Sequence, residues 1–78
     1  MKDLKLYVID GCPFCQRVLN HMEQQGIEGV EVLSVTKDAE AKAELIEKGG
    51  KYQAPCLFID GEPMYESADI IQWFEENK

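Results

Sequence analysis

Apolar residues fall into short runs whose period changes along the chain. Leu4-Lys5-Leu6-Tyr7-Val8-Ile9 is rich in β-formers and predicts a first strand. Asp10-Gly11 breaks it. From Pro13 to about Gln25 the spacing becomes helical, with Val18, Leu19 and Met22 on the buried face and Gly26 as the stop. Pro13 suits the first helical position, where a missing N–H costs nothing. Val30 to Val35 alternates less cleanly and predicts a second strand. Asp38 is the expected N-cap of a helix through Lys48, with Ala39, Ala41, Ala43, Leu45 and Ile46 along it. Gly49-Gly50 then ends that helix.

Pro55-Cys56-Leu57-Phe58-Ile59 predicts a third strand and Glu62 to Tyr65 a fourth, with Asp60-Gly61 between them as a tight hairpin turn. Ser67 is the expected N-cap of a last helix through Glu76 that buries Ile70, Ile71 and Phe74 or Trp73. The order is β-α-β-α-β-β-α. The first β-α-β unit requires a right-handed parallel crossover, and the hairpin adds an antiparallel pair. The expected class is α/β: a four-stranded mixed sheet flanked by helices, in one domain over residues 1–78.

A chain of 78 residues buries only roughly 60–65% of its unfolded surface, so its core must be compact. Apolar residues make up 45% and charged residues 29%, which suits a soluble globule. No apolar run approaches the ~20 residues of a membrane span. Met1-Lys2-Asp3 leads straight into the first strand without the apolar stretch of a signal peptide, so a cytoplasmic protein is expected. The net charge of −7 argues against nucleic acid and disfavours a membrane of anionic lipid. A local basic group or a helix N-terminus can still hold a small anion.

Charge leaves the chemistry to the cysteines, Cys12, Cys15 and Cys56. An odd count is no disulfide framework. A Cys12–Cys15 bond closes too short a loop to be a good staple, and suits a bond that forms and breaks. Cys-x-x-Cys alone could be half a zinc site, a redox pair or chance. Its place between a strand and a helix of a β-α-β unit is the redox context. Zinc needs two more ligands, and only Cys56 and His21 remain, His21 on the same helix as Cys15, so no metal is expected. Cys12 falls just before the helix, where free N–H groups and the helix dipole favour a thiolate. Such settings lower a cysteine pKa from about 8.5 to between about 3.5 and 7.5. Cys15 lies one turn on, facing the protein, and is the expected resolving thiol. Phe14 offers an apolar surface beside the sulfur.

At these residues the chain resembles the glutaredoxin family. Cys12-Pro13-Phe14-Cys15 differs from the family's usual Cys-Pro-Tyr-Cys by one hydroxyl, and the match spans essentially the whole chain. Tyr7 stands five residues before Cys12, as in the family's first strand. Ala54-Pro55 stands where the family carries a cis-proline beside the active site. Tyr65-Glu66-Ser67 resembles the Glu-Ser that opens the last helix of glutathione transferase N-terminal domains, a branch of the same superfold. The resemblance implies a thioredoxin-like fold and a dithiol oxidoreductase with Cys12 and Cys15 catalytic. It implies glutathione as co-substrate with no bound cofactor, and disulfide-containing or glutathionylated proteins as partners of a monomer. It also implies a glutathione site of Phe14, Lys51, Ala54, Pro55, Glu66 and Ser67. There Ala54 pairs its backbone with the cysteinyl part, Ser67 and its helix end hold the γ-glutamyl carboxylate, and Lys51 meets the glycyl carboxylate. The chain departs from the family pattern at Ile9, where a basic residue is usual, at Gln53, where Thr is usual, and at Tyr65-Glu66, where a glycine pair is usual.

The remaining polar residues have plainer readings. Arg17 is expected on a solvated helix face, His21 on the surface, and Cys56 as a small buried hydrophobe on the sheet face opposite Pro55. Three alternatives to a glutathione-driven enzyme stand. One keeps the dithiol chemistry but takes electrons from a thioredoxin-reductase-type flavoprotein, for delivery to ribonucleotide reductase. The others are an iron–sulfur carrier and a non-catalytic glutathione-binding module.

Overall fold

The computed structural model describes residues 3–77, so the expectations drawn from Met1 and Lys2 lie outside it. The elements are β1 (Leu4–Val8), α1 (Pro13–Gln25), β2 (Val30–Ser34), α2 (Ala39–Gly49), β3 (Cys56–Ile59), β4 (Glu62–Met64) and α3 (Ser67–Asn77). The strands form one four-stranded sheet in the order β2-β1-β3-β4. β1 pairs with β2 in parallel, while β1–β3 and β3–β4 are antiparallel. The expected mixed α/β architecture is therefore present.

Period-two alternation divides the central strands between two cores. Leu6 and Val8 of β1 and Leu57 of β3 pack with Cys15, Val18 and Met22 of α1 and Ile70 and Phe74 of α3. Tyr7 of β1 and Cys56 and Phe58 of β3 turn the other way and pack with Ala41 and Leu45 of α2 and with Val35. Helices α1 and α3 thus cover one face and α2 the other. On the α2 side Tyr7 meets Phe58 edge-on at 5.2 Å and donates its hydroxyl to Glu44. Tyr7 is a core tyrosine of that face. The edge strand β4 carries Pro63, tolerated there because an edge N–H need not join the ladder. Asp60 and Gly61 both adopt positive φ, 51° and 90°, as a two-residue hairpin turn demands.

Local expectations change at two helix ends. Ile70 N–H donates to the Glu66 carbonyl at 2.9 Å, so Glu66 occupies the cap position of α3. Ser67 is the first residue inside the helix and is buried there, rather than being its N-cap. On α2 only Ala41 and Leu45 are buried, four residues apart on one stripe. Ala39, Ala43 and Ile46 face outward because a single narrow stripe meets the sheet. Gly49 belongs to α2, and Gly50, at φ 83°, is the left-handed cap. Asp38 caps the other end, accepting from Glu40 and Ala41 N–H.

Leu57 is fully buried at the sheet centre, whereas Val32 on the edge strand β2 is 45% exposed. Leu57→Ala is expected to cost about 2–5 kcal/mol in urea denaturation. Val32→Ala should stay within about 0.5 kcal/mol of the parent protein.

Candidate active site

The turn from β1 into α1 is built by a few backbone bonds. Gly11 sits at φ 80°, a conformation that favours glycine. Cys12 N–H donates to the Ile9 carbonyl at 3.2 Å, and Gln16 N–H donates to the Cys12 carbonyl at 3.0 Å. Cys12 is extended (φ −82°, ψ 120°) and is the N-cap residue of α1, with Pro13 beginning the helix. Asp10 ties this turn to the neighbouring loop. Its N–H donates to Thr36 Oγ1 at 3.4 Å, Ser34 Oγ donates to its carboxylate at 3.2 Å, and Lys37 lies 3.7 Å away. The Thr36 hydroxyl, ahead of Lys37 and Ser34, holds the Asp10 carboxyl below its ordinary pKa despite some desolvation.

All three cysteines are thiols, in three different settings. Partial burial opposes charge on Cys12, but the N–H and thiol of Cys15 and the N–H of Phe14 outweigh it, and its pKa falls below the ordinary 9.0. Cys12 makes no capping hydrogen bond through its side chain. Cys15 is buried against the core, three residues on. Burial raises its pKa to about 11, although Ile9 N–H, 3.4 Å from its sulfur, works the other way. One turn of helix therefore carries a thiol poised to ionise and a second held neutral. Burial likewise raises Cys56 to about 11, and it lies in the α2-side core, across the sheet from Cys15.

Beside this turn is an open cleft of about 170 Å³ lined by Phe14, Gln53, Ala54, Pro55, Tyr65, Glu66 and Ser67. The Ala54–Pro55 peptide is cis, as the resemblance implied. Phe14 is 58% exposed at its edge. Five of the residues expected to act together, Phe14, Ala54, Pro55, Glu66 and Ser67, thus share one lining. Lys51 does not line it. Its ammonium lies over the ring of Tyr65, 4.4 Å from the centroid. Gln53 and Tyr65 enter the lining without having been expected there. Both positions stand out in the sequence as departures from the family pattern.

His21 is a correction. It is largely buried between α1 and α3, with Nε2 3.3 Å from Glu75 Oε1 in a contact not aligned as a hydrogen bond. Arg17 is exposed, as expected. Among the described residues no group of three or more His, Cys, Asp or Glu side chains could hold a metal ion. Nor is any described helix long and apolar enough to cross a membrane.

A family model described as the glutathione S-transferase N-terminal domain matches residues 6–78. Glutaredoxin 3 of Escherichia coli strain K12 is 27% identical over 62 residues, which are 80% of this chain and 74% of that protein. The crystal structure of a thioredoxin-like protein superposes with a TM-score of 0.77 at 27% identity, over 90% of this chain and 96% of the other. Glutathione transferase Omega 3C from Trametes versicolor superposes with a TM-score of 0.76 at 27% identity, over 96% of this chain and 33% of the transferase.

The thiol pKa values link to stability with opposite signs. Cys12, lowered by folding, stabilises the reduced protein above its unfolded pKa, and that contribution is lost as pH falls through the folded pKa. Cys15 and Cys56, raised to about 11, stabilise it below the unfolded value, and that contribution is lost as pH rises toward 11. Urea midpoints of the reduced protein minus those of Cys12→Ser should therefore climb as pH approaches 9.0. Both proteins should weaken above that. A difference independent of pH would remove the N–H account of Cys12.

Proposed function

The chain belongs to the glutathione S-transferase N-terminal domain family and has the glutaredoxin-like thioredoxin fold, and from that premise we propose that it is a thiol–disulfide oxidoreductase that draws its electrons from glutathione. The observation that carries the reading is the pairing of Cys12, lowered in pKa at the start of α1, with buried Cys15, raised to about 11 one turn later. The Cys12 thiolate attacks one sulfur of a substrate disulfide. A Cys12–substrate bond forms, the substrate S–S bond breaks, and the departing thiolate takes a proton from water. Cys15 then attacks the Cys12 sulfur, and its proton passes to the substrate thiolate that leaves. The Cys12–Cys15 disulfide forms and the second substrate thiol leaves, so the substrate has gained two electrons. One glutathione thiolate opens the Cys12–Cys15 bond to give a Cys12–glutathione disulfide. A second releases glutathione disulfide and restores both thiols.

The cleft suits the tripeptide. Ala54, in the cleft lining just before β3, offers backbone groups beside Pro55 with which a peptide can pair as an added strand. The first-turn N–H groups of α3, beginning at Ser67, lack intrahelical acceptors and favour the γ-glutamyl carboxylate. The Glu66 carboxylate at the same rim complements the γ-glutamyl ammonium. Lys51 supplies the cation for the glycyl carboxylate. The substrates are disulfide-containing and glutathionylated proteins met by a monomer in the cytoplasm.

A second reading keeps the dithiol and replaces glutathione by a flavoprotein reductase. It is favoured by one observation: among the described residues the cleft lining carries the Glu66 carboxylate and no cation.

Cys12→Ser should abolish all turnover, because the attacking sulfur is gone. Cys15→Ser should keep reduction of glutathione mixed disulfides, since a second glutathione can resolve them, and should lose most reduction of protein disulfides. Equal loss in both variants on mixed disulfides would overturn the assignment of roles. Lys51→Ala should weaken use of glutathione roughly tenfold, a charge-assisted contact partly screened by solvent. With thioredoxin reductase as donor the same variant should keep its rate. Equal loss with both donors, or none with either, would favour the reductase reading.

A further inference from the structure

Proton and electron transfer at Cys12 make no use of one arrangement at the cleft rim. Tyr65 donates its hydroxyl to the carbonyl of Gly49, the last residue of α2, at 2.6 Å. A Cβ on Gly49 would strike that hydroxyl and lie 3.4 Å from the ring carbon bearing it. Gly49 has no positive φ, unlike Gly50. Backbone conformation therefore does not call for glycine at this position, and space for the phenol does. On its other side the Tyr65 ring packs against the α2-side core, which includes Cys56 and Phe58 of β3. The ring is thus fixed from α2 and from β3, and its face carries the Lys51 ammonium at 4.4 Å.

An exposed lysine samples many rotamers, and a ligand that needs one of them must overcome that entropy. A fixed ring beneath the ammonium removes part of the cost before the ligand arrives, through a cation–π contact. The same ring lines the cleft. It therefore joins the lysine, which does not line the cleft, to the surface that does.

We propose that Tyr65 is a positioning residue, seated in a socket that Gly49 leaves open, which presents Lys51 to a carboxylate of glutathione. This rests on the glutathione reading of the cleft, and the test separates the two. KM for glutathione is measured for the parent protein, Lys51→Ala, Tyr65→Leu, the double variant, Tyr65→Phe and Gly49→Ala. Proton NMR of the Lys51 ε-methylene group reports the ring independently of any ligand.

Tyr65→Leu is expected to raise KM by most of the roughly tenfold effect of Lys51→Ala. The double variant should be little worse than Lys51→Ala alone, because both remove one interaction. Tyr65→Phe keeps the ring and should lie between parent and Tyr65→Leu. Gly49→Ala should raise KM although alanine is the better helix former, so propensity cannot explain its loss. The Lys51 ε-methylene protons should resonate upfield in the parent and return toward the random-coil position in Tyr65→Leu. Should Tyr65→Leu not fold, Tyr65→Phe, Gly49→Ala and the parent's upfield shift still decide. Additive losses in the double variant, or unshifted Lys51 protons in the parent, overturn the proposal. An upfield shift in a parent protein that shows no glutathione-dependent turnover supports the positioning and overturns the glutathione reading.

Discussion

A thiol ionises more readily where groups that favour the thiolate over the thiol face its sulfur, and the first turn of a helix offers such groups in its unpaired N–H donors. The site is arranged around that constraint. β1 must end at Val8 so that Gly11 can turn the chain and bring Cys12 to the cap position of α1. Pro13 then begins the helix without wasting a donor, and the N–H groups of Phe14 and Cys15 are left to the Cys12 sulfur. The same turn buries Cys15, because a residue three positions into an amphipathic helix faces the core when its neighbours Val18 and Met22 do. Both shifts therefore come from one geometric choice, the point at which the helix starts.

The sheet keeps the third thiol out of this chemistry. Alternation along β3 sends Leu57 to the α1 and α3 side and Cys56 to the α2 side. Cys56 is sealed there at the same pKa as Cys15, about 11, but without a partner thiol across the sheet. Equal burial has different consequences because nucleophilic attack needs contact between sulfurs, and only Cys15 shares a turn with Cys12. Tyr65, at the edge of the cleft, packs against the core cluster to which Cys56 belongs.

Features that depend on neighbours a few positions apart are legible in the amino-acid sequence alone. The Asp60-Gly61 turn, the Asp38 cap, the helix start at Pro13 and the separate environments of Cys12 and Cys15 are all of this kind. Features set by packing between distant elements are not. Serine is the stronger N-cap by composition, yet seating α3 on the sheet puts Ser67 inside the helix and leaves the cap to Glu66. His21 reads as a surface residue until α3 brings Glu75 beside it. Gly49 reads as half of a helix terminator, whereas only Gly50 terminates, and the role of Gly49 depends on a tyrosine 16 residues away. Tyr65 lines the cleft for the same reason: the hairpin returns it to the side of β3 where the cis peptide begins.

The overall charge bears on how such a cleft can hold an anion. A protein of net charge −7 repels an anionic tripeptide at long range. Beyond about 8 Å at physiological ionic strength that repulsion is largely screened, so it slows the approach more than it weakens the complex. Affinity must then come from groups close enough to act inside the screening length. Two are at hand on the glutathione reading: the N–H groups at the start of α3, fixed by the helix, and the Lys51 ammonium, carried on a long side chain of an exposed residue. A rigid donor set needs no further support, but a flexible cation loses rotamer entropy when it meets its anion. Placing that cation on a ring bonded to the Gly49 carbonyl and packed on the α2-side core gives it a definite resting place. The end of α2, the core beneath the ring and a missing side chain at Gly49 together supply the rigidity of this rim.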